Sequence, residues 1–501
     1  MFKKLLLPAV IASLCVVTSA QASLTSGQLI AIGSLTGSSA GLNTDLSGLT
    51  GLMENGVAGN FLGGIGSGLA YAGGNTFIAT PDRGPNATAY NALVDDTTSY
   101  ISRFQTVTLD LSVNNSGSGL AYNLTPTLTA TTLLSSATAL NYGTGAGLGN
   151  QINGTPMGSG APALNVTNNT NYFTGRSDNF GSANPITGIA DTTSANPSNA
   201  RFDPEGVRVS NDGKSVFISD EYGPYVNQFD RATGERIKSF ALPANLAIAH
   251  ESAVGATEQL TTQNTSGRVT NKGMEGLAIT PDGTMLVGMM QAPLLQDVKN
   301  SGNVRIVTID IATGVTHEYA YHLTTGSGVS EIVAINNHEF LVDERDGSGL
   351  GNGDSAVVKQ LFKIDLANAT DVTSFAATGS AADKTALTNA AVPKTLFLDV
   401  AATLNSNGIT SDKIPAKLEG VTFGQDIYDN GALFHTLYVA NDNDFIPGTA
   451  GSNQFFVFAV ADTALTFQAQ QISAVPVPAA AWLFGTGLIG LLGSVRKRKS
   501  A

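Results

Sequence analysis

One short pattern recurs along this chain and limits what it can fold into. Between Asp203 and Gly223, an apolar run, an Asp-Gly pair and a second apolar run follow one another, which predicts a β-hairpin with a tight turn. Four further stretches repeat this pattern about the polar turns Gly74-Asn75, Asp282-Gly283, Asn337-His338 and Asn430-Gly431. Matched hairpins that recur within one chain indicate a structural repeat.

Each hairpin opens on a short signature and closes on a polar cluster. The opening residues are Ser67, Glu205, Glu275, Glu331 and Glu419, and the closing residues are Asp82, Asp220, Met290, Glu344 and Asp442. Equal arm lengths predict three opposed carboxyl pairs, namely Glu205 with Asp220, Glu331 with Glu344, and Glu419 with Asp442. Because opposed carboxylates repel, each pair would need a bound cation, a basic partner or a shared proton.

The stretches between the hairpins read as further strands. Residues 305–310 and 360–365, for example, alternate apolar and polar side chains and lead into turns. Four-stranded units without a helical pattern between them predict an all-β protein, a β-propeller. The long gap between the first two signatures leaves room for one more unit, so we expect six blades, with seven as the alternative.

The propeller is expected to span residues 67–474. A low-complexity insertion rich in Asn, Thr, Gly and Ser is expected at about 114–200. Residues 23–66 would form either an edge strand that closes the structure or a loose N-terminal arm.

Both ends of the chain carry targeting patterns. Residues 1–22 combine two lysines, an apolar run and an Ala-Gln-Ala ending, which predicts a secretory signal peptide. Residues 475–501 hold an apolar segment followed by a basic cluster, which predicts a sorting signal or a transmembrane helix. The segment resembles a PEP-CTERM-type sorting signal, with Val477 in place of the usual Glu.

These termini predict export across the inner membrane to the cell surface, the extracellular matrix or the periplasm. Partners would then include the membrane, at least transiently, and a C-terminal sorting or processing enzyme. The formal net charge of −13 disfavours nucleic acid as a partner. Acidity that only keeps an exported protein soluble is an equally open interpretation.

The recurrent acids predict a site at one end of the central channel. Hard oxygen ligands without cysteine or histidine favour Ca²⁺ over zinc or copper. A bound cation would turn the acidic funnel into a phosphate site.

The candidates fall into three groups by chemistry. Candidate catalytic residues are Glu205, Glu331 and Glu419. Candidate metal ligands are Asp82, Asp220, Glu221, Glu275, Glu344, Asp442 and Asp444. Candidate substrate-binding cations, which could hold anionic oxygens, are Arg83, Arg201, Lys272 and Arg345.

The same residues admit a structural interpretation. Acids in propeller hairpins can bond backbone amides of neighbouring blades, and Arg83 and Arg345 can be plain ion-pair partners of adjacent acids. Tyr222 can simply pack in the core.

Several motifs, taken in order, resemble the phytase-like family described as having esterase-like activity. They are Asp203-Pro204-Glu205-Gly206, Asp220-Glu221-Tyr222-Gly223-Pro224, Gly273-Met274-Glu275-Gly276-Leu277, Ser330-Glu331-Ile332, Glu344-Arg345-Asp346 and Lys417-Leu418-Glu419-Gly420. The resemblance covers roughly residues 64–460 and implies hydrolysis of phosphate monoesters such as phytate.

Three classes of function remain open at this point. The first is a calcium-dependent hydrolase of small anionic phosphate esters. The second is a non-catalytic propeller that binds a surface polysaccharide or another matrix component. The third is a propeller hydrolase of carboxylic esters or lactones.

Overall fold

A computed structural model describes residues 23–86, 97–143, 166–167, 170–178, 180–181, 192–297, 301–375 and 380–473. The predicted signal peptide at 1–22 and the predicted sorting or membrane segment at 475–501 lie outside the described residues. None of the helices in the described ranges combines the length and the apolar composition of a transmembrane helix.

Five large antiparallel β-sheets make up most of the fold, and each is one blade of a propeller. The N-terminal strands are β1 (Gln28–Leu35), β2 (Gly37–Ser38) and β3 (Gly41–Leu42). The first blade comprises β4 (Gly68–Tyr71), β5 (Thr76–Thr80), β6 (Arg103–Val113) and β7 (Tyr122–Leu133). A small sheet follows, formed by β8 (Ser135–Ser136), β9 (Val166–Thr167) and β10 (Thr170–Tyr172).

The next two blades run through the middle of the chain. The second blade comprises β11 (Pro204–Val209), β12 (Ser215–Asp220), β13 (Tyr225–Asp230) and β14 (Arg236–Phe240). The short helix α1 (Gly255–Glu258) precedes the third blade. That blade comprises β15 (Met274–Ile279), β16 (Met285–Met290), β17 (Asn303–Asp310) and β18 (Thr316–His322).

The last two blades carry the remaining helices. The fourth blade comprises β19 (Gly328–Ala334), β20 (Glu339–Arg345), β21 (Lys359–Asp365), helix α2 (Ala381–Ala390) and β22 (Lys394–Asp399). Helix α3 (Val400–Ser406) leads to the fifth blade. Its elements are β23 (Lys417–Phe423), β24 (Ile427–Asp429), β25 (Ala432–Asp442), helix α4 (Pro447–Ala450) and β26 (Asn453–Ala461).

The propeller has five blades, so the prediction of six is wrong. The innermost strands β4, β11, β15, β19 and β23 pack side by side in a closed ring. A Cβ atom added to Gly68 of β4 would lie 2.2 Å from the carbonyl oxygen of Glu205 in β11. A blade cannot fit between two strands in such close contact, and the long sequence gap instead contains β6, β7 and the small sheet.

The fifth blade joins the two ends of the described chain. Strand β1 pairs antiparallel with β26, with Leu29 opposite Phe458. Of the two alternatives for residues 23–66, the structure therefore has a closing strand at Gln28–Leu35. Apolar side chains fill the spaces between blades, and Leu277 of the third blade and Ile332 of the fourth belong to one fully buried cluster.

The glycine after a signature glutamate allows neighbouring inner strands to approach closely. A Cβ atom on Gly206 would lie 2.5 Å from the backbone nitrogen of Leu277, and one on Gly276 would lie 2.9 Å from Cα of Glu331. A larger residue at either position would overlap the next blade. The Glu-Gly signature is therefore first of all a packing requirement of the ring.

The same signature shifts the register of the hairpins. A β-bulge lies at the Glu-Gly pair of β11, β15 and β23, and one residue earlier in β19. The prediction of directly opposed acids is wrong for this reason, because a bulge changes which residues face each other. Asp220 pairs with Pro204, Glu344 with Val329, and Asp442 with Lys417.

Arg208 of β11 lies in the central channel and bonds to the backbone of several blades. Its Nη1 donates to the carbonyl oxygens of Val207 at 2.6 Å and Leu69 at 2.8 Å. Its Nη2 donates to those of Ile332 at 2.8 Å and Val421 at 3.2 Å. One side chain thus joins the inner strands of the first, second, fourth and fifth blades.

Glu331 completes this axial contact with the third blade. Its Oε2 lies 3.2 Å from Nη2 of Arg208. Its Oε1 accepts hydrogen bonds from the backbone N–H groups of Leu277 and Ile332, both at 2.9 Å. The Arg208–Glu331 pair therefore contacts all five inner strands.

We expect Arg208→Met to destabilise the fold strongly. The substitution removes the donor to four backbone carbonyls, and each buried polar group left unpaired costs about 1–3 kcal/mol. The free energy of unfolding, measured by denaturant titration, should fall by roughly 3 kcal/mol or more. The control Arg231→Met removes one 3.2 Å bond to the Gly213 carbonyl at a turn; equal losses in the two variants would contradict the role of the axial contact.

Candidate functional site

Carboxyl groups from four blades meet at the end of the channel where the signature glutamates lie. We call this set the axial acid cluster. Its members act electrostatically on one another and are Asp82, Asp203, Glu205, Glu221, Glu275, Glu419, Asp442 and Asp444. The basic side chains paired with them are Arg83, Arg345 and Lys417. Acids thus outnumber bases in a mostly buried site.

Three of these acids, Asp203, Glu205 and Glu221, form a group that we call the glutamate triad. One carboxylate oxygen of each lies within 4.8 Å of the others, and all three residues are buried. Asp203 is fixed by Arg83, whose backbone N–H donates to Oδ1 at 2.8 Å and whose Nη1 donates to Oδ2 at 3.2 Å. The triad can bind a metal ion through hard oxygen atoms.

The glutamate triad is short of partners for its negative charge. Burial raises the pKa of Glu205 well above its usual value, and the nearby Glu275 and Asp203 raise it further. Burial likewise raises the pKa of Glu221, and the nearby Glu275 and Asp203 raise it further. Glu221 Oε1 and Glu275 Oε2 are buried and have no hydrogen-bond partner among the described residues. Buried oxygens in this state fit a cation.

A second group, Asp82, Asp442 and Asp444, forms the aspartate triad, with carboxylate oxygens also within 4.8 Å of one another. Lys417 Nζ lies 2.7 Å from Asp442 Oδ2 and 2.5 Å from Asp444 Oδ1. Asp444 has a backbone φ of 49°, and Phe445 after it has a φ of 55°. Left-handed conformations are uncommon for such residues and are often found at functional sites.

A cavity of about 800 Å³ adjoins the cluster, and basic side chains line it. Lys272, Arg345 and Lys417 contribute to its wall together with polar residues such as Gln291 and Ser327. Arg345 Nη2 contacts Glu419 directly and lies 3.8 Å from Glu275 Oε1. A ligand in the cavity would therefore meet cations first, with the acids behind them.

Two predicted metal ligands instead accept hydrogen bonds from backbone N–H groups. Glu344 Oε1 accepts the N–H groups of Thr324, Thr325 and Gly326 at 2.7–3.0 Å, and Lys394 pairs with Oε2. Burial acts to raise the pKa of Glu344, but these hydrogen bonds outweigh it and hold the pKa at about 2. Asp220 Oδ1 accepts the N–H groups of Asp203 and Tyr222, so it shapes the loop that carries Glu221.

Two further predicted residues lie away from the cluster. Glu331 is in the axial pair with Arg208 and bonds the amide of the neighbouring blade, as the structural interpretation of the signature acids anticipated. Arg201 lies with its guanidinium 3.6 Å from the ring centre of Tyr222 and 3.6 Å from Glu258 Oε1. The remaining predicted residues belong to the cluster, pair with it or line the cavity.

Asp203 and Lys417 were not among the site residues predicted from the sequence. Each precedes a signature glutamate by two positions, Asp203 before Glu205 and Lys417 before Glu419. Side chains two residues apart in a strand point to the same face. This periodicity would have identified Lys417 in β23, and the same two-residue spacing applies to Asp203, which directly precedes β11.

The raised pKa values give the metal-free protein a definite dependence on pH. A carboxyl group whose pKa is higher in the folded state holds more protons there, so stability falls as pH rises. Burial raises the pKa of Asp220 to about 7, and the pKa values of Glu205 and Glu221 are also raised. In metal-free buffer, we expect the thermal unfolding midpoint to fall between about pH 5 and about pH 8.

Two variants separate this effect from general pH sensitivity. Glu221→Gln should flatten the dependence, because it removes one of the groups with a raised pKa. Glu339→Gln should not, because hydrogen bonds from Lys363 and Thr466 outweigh burial and hold the pKa of Glu339 at about 2, outside this range. A midpoint that rises over the same range in the parent protein would contradict the assignment.

Solved structures that resemble this protein share little sequence with it. A putative 6-phosphogluconolactonase from Bacteroides uniformis is 10% identical, with 81% of this chain and 86% of that chain covered and a TM-score of 0.29. The periplasmic gluconolactonase of Pseudomonas aeruginosa is 12% identical, with 79% and 88% covered and a TM-score of 0.28.

Comparison at the level of sequence is more informative. An uncharacterized secreted protein of Arthroderma benhamiae is 28% identical over 179 residues, which is 29% of this chain and 35% of that protein. The chain thus matches about a third of the length of this relative. Residues 60–445 match the family described as "Phytase-like: Esterase-like activity of phytase". Because this match covers most of the chain, the protein belongs to the phytase-like family.

Proposed function

We propose that this protein is an exported, calcium-dependent hydrolase of anionic phosphate monoesters, with its active site at the axial acid cluster. The observation that carries the proposal is the pairing of two features with opposite charge. A buried cluster with more acids than bases adjoins a cavity of about 800 Å³ lined by three basic side chains. The acids suit a metal ion, and the basic lining suits a negatively charged ester.

The glutamate triad fits calcium better than a softer metal. Its donors are carboxylate oxygens of Asp203, Glu205 and Glu221, the ligand type that Ca²⁺ prefers. Glu221 Oε1 and Glu275 Oε2, for which the described part of the chain offers no hydrogen-bond partner, provide donor oxygens for a metal ion. When bound, calcium supplies positive charge that polarises a phosphoryl oxygen.

Basic side chains of the cavity bind and orient the substrate. Arg345 presents a planar guanidinium suited to two phosphate oxygens, and its contact with Glu419 fixes its position. Lys272, which is exposed in the wall of the same cavity, adds a mobile ammonium group. Several cations around one cavity favour a multiply charged ester, and membership of the phytase-like family makes phytate the first substrate to test.

Glu419 is the residue that we assign to proton transfer from water. It is 3% exposed and contacts Arg345, which lines the cavity. Burial raises the pKa of Glu419 well above its usual value, although Arg345 and Lys417 oppose this. Once deprotonated, a carboxylate with a raised pKa accepts a proton from water more readily. Glu205 serves by contrast as a metal ligand.

Export is part of the proposal and has separate support. The signal-peptide pattern at residues 1–22 agrees with the name of the relative from Arthroderma benhamiae, which describes a secreted protein. The segment at 475–501 would hold the protein at a membrane until a sorting or processing enzyme acts on it.

We expect Glu205→Gln and Glu419→Gln each to lower kcat by about 10² or more, because the first removes a metal ligand and the second a general base. Phosphate release from phytate and from a chromogenic phosphate monoester, with calcium and with chelator, measures the effect. Glu318→Gln is the matched control, since Glu318 is equally buried but pairs with Arg305 on the outer strands.

The control should lose stability without losing turnover. Three outcomes would overturn the proposal: a parent protein that releases no phosphate, activity that the chelator leaves unchanged, or full activity in both cluster variants. Hydrolysis of carboxylic esters or lactones alone would reassign the site to that chemistry.

A further inference from the structure

The two triads of the axial acid cluster have the same type of donor but differ in their partners. Both place three carboxylate oxygens within 4.8 Å of one another. In the glutamate triad, Glu221 is 1% exposed and its Oε1 has no hydrogen-bond partner among the described residues. In the aspartate triad, an ammonium group lies between two of the carboxylates.

This ammonium group belongs to Lys417, the first residue of β23. Its Nζ lies 2.7 Å from Asp442 Oδ2 and 2.5 Å from Asp444 Oδ1. Lys417 also pairs with Asp442 in the strand register, so its side chain starts directly beside the triad. The positive charge is thus held in place by the backbone as well as by the ion pairs.

The oxygens of the aspartate triad are closely enclosed. Gly64 packs against them with a backbone φ of 60°, and a Cβ atom there would lie 2.8 Å from Cε2 of Phe445, 3.2 Å from Asp442 Oδ1 and 3.3 Å from Asp82 Oδ1. A side chain at this position would therefore overlap the Phe445 ring. Gly64, Phe445 and Lys417 thus surround the oxygens of the aspartate triad.

We propose that the ammonium group of Lys417 takes the cation position of the aspartate triad, so that the cluster binds one calcium ion, in the glutamate triad, and not two. The binding of calcium by the glutamate triad rests on the proposed function. The role of Lys417 rests on the aspartate triad alone.

The assignment gives Lys417 a specific task in the site. A covalently attached cation holds Asp442 and Asp444 of the fifth blade next to Asp82 of the first, whatever the calcium concentration. The end of the second blade, by contrast, depends on calcium. Lys417 also lines the cavity, so the fixed positive charge remains available to an anionic ligand there.

Calcium titration of the purified full chain by isothermal calorimetry tests the inference through the number of ions bound. The parent protein should bind one ion per chain, and Lys417→Gln should bind two, because calcium can enter the vacated position. Lys417→Arg should bind one, since it keeps a cation in place. Lys272→Gln is the matched control, because it removes the same charge from the wall of the same cavity and should leave the count at one.

A second variant shows where the additional ion binds. Lys417→Gln combined with Asp444→Asn should return the count to one, because the aspartate triad then lacks a ligand. An undiminished count in the double variant would place the ion elsewhere and overturn the inference. An unchanged count in Lys417→Gln, or two ions in the parent protein, would overturn it as well.

Thermal melting shows whether the Lys417→Gln variant folds. Lys417→Gln should melt at a lower temperature than the parent in chelator and regain the difference in calcium, since bound calcium stabilises the native state. A variant that stays unfolded in calcium would contradict the inference. If the parent binds no calcium but Lys417→Gln binds one ion, the role of Lys417 stands and the proposed calcium-dependent function fails.

Discussion

Closure of five inner strands around one axis is the constraint on which the rest of the structure depends. The Glu-Gly signature satisfies it sterically, because only glycine permits the contact between Gly206 and Leu277 of the next blade. The same closure brings the signature acids of neighbouring blades together at one end of the channel. Charge concentrated in this way must be neutralised by protons, by basic side chains or by metal ions. Within the described residues, basic side chains neutralise some acids of the axial acid cluster, whereas other acids of the cluster have no basic partner.

Glutamates of this fold consequently have different roles, and the residues around each glutamate determine its role. Glu331 has Arg208 and two backbone amides as partners, so it stabilises the ring. Glu344 is saturated by hydrogen bonds and shapes the loop at the cavity wall. Glu221 is equally buried, but one of its oxygens has no hydrogen-bond partner within the described ranges, so this oxygen can bind a ligand. The separation of these roles distinguishes the candidate site from the supporting structure.

Much of the fold could be predicted because the sequence patterns that specify its hairpins are short and local. The turns at Asp212-Gly213 and Asp282-Gly283 place Gly213 and Gly283 at positive φ values of 72° and 74°, as an Asp-Gly pair predicts. The number of blades could not be predicted, since it depends on the contact between β4 and β11 across a long stretch of sequence. The bulges at the signature glutamates also escaped prediction, and they displaced every expected pair of opposed acids. The sequence pattern therefore identified most of the acids of the cluster, but neither Lys417 nor the acids with which Arg83 and Arg345 pair.

We propose that calcium is the cation of the glutamate triad and that the Lys417 ammonium group is the cation of the aspartate triad. Crystals of the parent protein grown with calcium, with anomalous diffraction data collected at long wavelength, test this most directly. The account predicts one anomalous peak at about 2.3–2.6 Å from carboxylate oxygens of Asp203, Glu205 and Glu221, with Lys417 still between Asp442 and Asp444. A saturated crystal with no peak at the glutamate triad, or with a peak in place of the Lys417 ammonium group, would contradict it.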